Sequence, residues 1–163
     1  MRSLRPAACT AALAVLWLAV AAHAGSSAPI PVGFYGAPEP LVLASRSAAV
    51  NVTVVGGGGR AKDIGLSCTS ATAPGASIVV TVPGVLKITA RSFAYAGTVT
   101  LTPAQTQSGV GATSTVSIRG RFAAGKIRLG TGIALSGTVS ASACAATTPA
   151  TFALVWNTKS TSG

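Results

Sequence analysis

Acidic residues are almost missing from this sequence: Glu39 and Asp63 are the only two in 163 residues, and His23 is the only histidine. Charged residues make up 9% of the chain and aromatics 5%, whereas about a quarter of an ordinary soluble domain is charged. Each shortage excludes chemistry. His23 falls in the leader segment described below, and without it there is no imidazole base for a Ser-His-Asp or Cys-His arrangement. A lysine could replace it, but Gly59, Gly84, Ala123 and Trp156 stand three residues before Lys62, Lys87, Lys126 and Lys159, so no Ser-x-x-Lys motif exists. Glycoside hydrolysis usually needs two carboxylates about one bond, and Glu39 lies between two prolines, far in sequence from Asp63. Zinc and calcium sites lack ligands. The expectation is a non-enzymatic protein with no catalytic residues, no metal and no cofactor.

The first residues read as an address. Met1-Arg2-Ser3-Leu4-Arg5 is basic, Ala7 to Ala22 is apolar, and Ala22-His23-Ala24 has the small-x-small form of a cleavage site. The apolar run is shorter than the roughly 20 residues of a spanning helix, so residues 1–24 are expected to be a removed signal peptide, leaving no transmembrane span. Removal leaves 139 residues with ten basic and two acidic groups, a net charge of +8, and no histidine. It also takes Cys9, leaving Cys68 and Cys144 as an even pair in an oxidising compartment. Their bridge would close a 77-residue loop, which the chain-entropy model values at roughly 4–5 kcal/mol. The protein is therefore expected to be secreted, extracellular or associated with the cell envelope.

What is plentiful is two-residue alternation. Val50, Val52 and Val54 alternate with Asn51, Thr53 and Val55; Val116, Ile118, Gly120 and Phe122 alternate with Ser117, Arg119 and Arg121. Valine, threonine and isoleucine dominate such runs, as strands prefer, and Gly56–Gly59, Pro74-Gly75, Pro83-Gly84 and Ala123-Ala124-Gly125 punctuate them. Strands are expected over 47–55, 62–70, 77–82, 85–91, 93–102, 113–122, 126–130, 133–143 and 151–157. This spacing predicts an all-β chain, a single antiparallel β-sandwich of immunoglobulin-like or Greek-key type with roughly 7–9 short strands. The division is 1–24 signal peptide, 25–45 proline-rich extended segment, 46–158 sandwich domain and 159–163 flexible tail. Phe93 and Tyr95 are expected to face inward, out of phase with Leu86, Ile88 and Ala90, which calls for a bulge or turn near Arg91-Ser92. A membrane barrel is the alternative for so apolar a β-rich chain, and it would require aromatic girdles.

Two features invite a binding reading. Gly56-Gly57-Gly58-Gly59-Arg60-Ala61-Lys62 resembles a phosphate cradle, but Asp63 and a strand follow where a P-loop requires Ser or Thr and a helix. It reads as a hairpin loop. The stronger feature is cationic. A hairpin turning at Ala123–Gly125 would place Arg119, Arg121, Lys126 and Arg128 on one outer face, and Lys87 and Arg91 alternate away from Leu86, Ile88 and Ala90. These six residues are the expected anion-binding set. With so few carboxylates they must stay solvated or meet external anions, anionic polysaccharide or another cell-envelope polymer being the expected partner. No recognition helix or aromatic RNP motif supports sequence-specific nucleic-acid reading. The competing roles are a protein-binding module or inhibitor, and a self-assembling surface subunit. Asn51-Val52-Thr53 is a glycosylation sequon, relevant only in a eukaryotic secretory route.

Overall fold

The computed structural model of the chain describes residues 28–44, 46–69, 77–101 and 112–157; the expected leader and tail lie outside them. Ten strands form: β1 (Gly33–Gly36), β2 (Leu41–Leu43), β3 (Arg46–Val55), β4 (Arg60–Thr69), β5 (Ser77–Thr81), β6 (Leu86–Lys87), β7 (Ser92–Thr100), β8 (Thr113–Phe122), β9 (Leu135–Ala141) and β10 (Ala146–Asn157). Among the described residues one 3₁₀ turn, Ser142–Cys144, lies between β9 and β10. Every ladder is antiparallel.

The hydrogen bonds make one nearly closed, barrel-like sheet where the sequence suggested two packed sheets. Its order is β5-β4-β3-β1-β10-β9-β8-β7, with β2 added on β3 and β6 on β4. The reason is β1. Phe34, Tyr35 and Gly36 pair with β10 on one side and with β3 on the other. A four-residue strand inside the proline-rich segment thus joins the two halves.

Alternation sets the interior. Val50, Val52 and Val54 of β3, Val116, Ile118 and Phe122 of β8, and Val139 and Ala141 of β9 are buried. The outward positions of β7 and β8 are Ala, Thr, Ser and Arg. An apolar inside and polar outside is the reverse of a membrane barrel. Among the described residues no helix is long and apolar enough to cross a membrane. Across β7-β8-β9-β10 one inward row reads Phe93, Gly120, Gly137, Phe152 in register. Phe93 lies over Gly120 and Phe152 over Gly137, where side chains on the glycines would collide. Paired glycines flanked by rings let the sheet bend while the aromatics refill the space.

Two expected strands are altered by backbone conformation. The strand over 85–91 shrinks to β6, because Ala90 and Arg91 both take positive φ, 48° and 62°. Thr89 and Ser92 bridge across them, a two-residue hairpin of the primed kind. The anticipated phase change at Arg91-Ser92 is therefore a turn. Residues 126–130 are loop: Gly130 and Gly132 have positive φ, and only Arg128 and Thr131 bridge. Ile127 is still buried.

Where the Ser142–Cys144 turn lies against β5, β8 and β10, Cys144 forms a disulfide with Cys68 of β4, the Cα atoms 5.9 Å apart. Beside it, the buried Ser114 hydroxyl accepts from the Ala143 amide at 3.1 Å and the Ser142 hydroxyl accepts from the Thr115 amide at 2.9 Å. This reciprocal clasp holds the 3₁₀ turn to β8.

Candidate functional site

Arg119 and Arg121 are outward residues of β8, which lies between β7 and β9. Arg119 faces Ala94 on β7 and Thr138 on β9; Arg121 faces Ser92 and Ser136. Both arginines are exposed and flanked only by small side chains, so each guanidinium rises from a low floor. The floor continues through Gly120 and Gly137 into a shallow groove of about 630 Å³, which Lys87 and Thr89 close on one side.

Lys87 has a cationic neighbour of its own. In the β4–β6 ladder it stands directly opposite Arg60, and both are exposed. Opposed residues in an antiparallel pair project to the same side, and like charges so placed are destabilising. No carboxylate lines the groove: Glu39 sits in the β1–β2 turn, and Asp63 forms an ion pair with Lys62 at 3.4 Å. Arg60 was read in the sequence only as part of the glycine loop. Seeing its place here requires knowing that β6 pairs with β4.

The other expected site residues lie elsewhere. Lys126 and Arg128 sit in the loop from Ala123 to Ala134 and line a separate hollow of about 290 Å³ with Ile133. Arg91 turns inward. Its guanidinium donates to the carbonyls of Ala28 and Ala123, because the positive φ at Ala90 and Arg91 breaks the alternation that would have pointed it out. The expected six thus divide into a groove trio (Lys87, Arg119, Arg121), a loop pair and one inward plug.

Arg91 is part of a clamp on the segment before β1. The Tyr35 hydroxyl donates to the Pro31 carbonyl at 2.8 Å, and the Trp156 indole N–H donates to the Val32 carbonyl at 3.2 Å. A side chain on Gly58 would strike the Ile30 carbonyl, so the glycine hairpin is packed against the same segment. Burial pushes the Tyr35 phenol well above the usual tyrosine range, and the Arg91 charge pulls in the other direction.

Register places most of the positive charge at one end. Arg60 and Lys62 begin β4, Lys87 lies on β6, Arg91 in the turn, Arg119 and Arg121 near the end of β8, and Lys126 and Arg128 in the loop that follows. These are eight of the ten cations after residue 24, accompanied by Asp63 alone. No family model, curated protein or solved structure matches the chain.

Proposed function

We propose that this is a secreted, non-enzymatic binding protein that adheres through its basic groove to anionic polymers of the cell surface or extracellular space. The observation that carries this reading is the Arg60–Lys87 opposition beside Arg119 and Arg121. Lys87, Arg119 and Arg121 line the groove without a carboxylate, and Arg60 stands opposite Lys87, an arrangement that costs stability alone and that a polyanion relieves. In this reading the flattened barrel is a sandwich of immunoglobulin-like or Greek-key type, with β5-β4-β3 and β10-β9-β8-β7 as layers sharing β1.

Retention on immobilised heparin tests it. Binding is expected to fall steeply as salt rises, since exposed charges more than about 8 Å apart are screened at physiological ionic strength. Reversal of Arg60, Lys87, Arg119 and Arg121 to Glu should abolish it. Retention that ignores salt, or survives the reversal, overturns the reading.

Self-assembly is favoured by a different observation. Strand β7 ends the sheet order, is nine residues long and carries no charge, and natural proteins usually protect such edges. Higher oligomers in size-exclusion chromatography support pairing through β7; a monomer at high concentration removes it.

A further inference from the structure

The basic end carries a second kind of surface. Arg128 and Thr131 bridge across Leu129-Gly130, and Gly130 takes positive φ, so Leu129 sits at the apex of a tight turn. It is 45% exposed, and Ile133, four residues on, is 60% exposed. The turn is tied to the body by the Gly130 amide donating to the Trp156 carbonyl at 2.8 Å. Trp156 in turn holds the Val32 carbonyl, and Val32 is 51% exposed. Three large aliphatic side chains therefore stand in water on neighbouring segments around one tryptophan. Lys126 and Arg128 flank them, with Arg121 one residue before Phe122, where the loop departs.

Single exposed aliphatics need no explanation, but an aliphatic turn apex bracketed by cations asks for two environments at adjacent depths. A soluble polysaccharide supplies only the anion. An anionic bilayer supplies a negative headgroup layer, which attracts basic clusters, and an apolar layer just beneath it. A half-buried tryptophan suits the boundary between them.

We infer that the end formed by the 123–134 loop and Val32 docks on anionic lipid membranes, with Leu129 and Ile133 entering the acyl region and Lys126, Arg128 and Arg121 meeting phosphate headgroups. The inference rests on the anion-adhesion reading and narrows its partner to a lipid surface.

The test is co-sedimentation of the purified protein with phosphatidylcholine vesicles made with or without one third phosphatidylglycerol, alongside heparin retention. Expected are binding to the anionic vesicles only, a blue shift of tryptophan emission on binding, and retained heparin affinity. The exposed double substitution L129S/I133S should reduce vesicle partitioning more than tenfold, as loss of two buried aliphatics implies, while leaving heparin elution unchanged. If L129S/I133S partitions like the parent, or the parent binds heparin but not anionic vesicles, the lipid inference falls and polymer adhesion stands. If the parent binds neither, both fall.

Discussion

Tyr35 stands edge-on to Phe122, ring centroids 5.3 Å apart and planes at 80°. The contact joins the first strand to the eighth, and Phe93 packs on Phe122 as well, its ring centroid 6.1 Å away. An aromatic from the proline-rich segment is thus a centre of the core, and it is also a titratable one.

Its titration gives a stability prediction. The folded phenol is held above the ordinary value of 10.0, so the unfolded chain releases that proton first. The stabilisation is fully present below pH 10 and is lost as pH rises beyond it, by about 1.4 kcal/mol per pH unit. Tyr35→Phe should lower stability near neutrality by about 1 kcal/mol, the worth of the bond to Pro31, and should flatten the alkaline decline. Urea unfolding of both proteins across that pH range reads the difference; parallel slopes would refute it.

The disulfide spans 76 positions and fastens the end of β4 to the turn after β9. Reduction, or the pair Cys68→Ala and Cys144→Ala, should cost roughly 4–5 kcal/mol. For a domain of this size that lowers Tm by about 10–20 °C. Calorimetry with and without reductant measures it.

Two glycines should respond very differently to alanine. At Gly137 a Cβ would meet the Arg119 carbonyl oxygen and the Phe152 ring, so the β8–β9 ladder must move and the expected cost exceeds about 3 kcal/mol. At Gly57 nothing lies within 4 Å, though φ is +67°, and the cost should be about 1 kcal/mol of backbone strain. Chemical denaturation of Gly137→Ala and Gly57→Ala ranks them.

Period-two patterning located the long strands closely: 47–55 against Arg46–Val55, 113–122 against Thr113–Phe122, 93–102 against Ser92–Thr100. It named both bridged cysteines and turned Phe93 inward. It was silent on β1 and β2 because three or four residues between prolines make no period. It suggested two sheets because alternation reports which face is buried, not which strand lies next door. The same limit governs the site. The outward phase of Arg119 and Arg121 follows from Val116, Ile118 and Phe122 pointing in. The inward swing of Arg91 depends on two positive φ values at alanine and arginine, which composition does not announce. The opposition of Arg60 and Lys87 depends on pairing across 27 residues of chain.

Because β1 is hydrogen-bonded between β3 and β10, the first described strand acquires its second neighbour only when the last one arrives. A chain emerging from the ribosome amino end first has no partner for that side of Gly33–Gly36 until residues near Asn157 are free. The bond from the Trp156 indole to the Val32 carbonyl waits in the same way. The sheet therefore completes only once β10 is free, and the nascent chain stays open and threadable for as long as that strand is unmade.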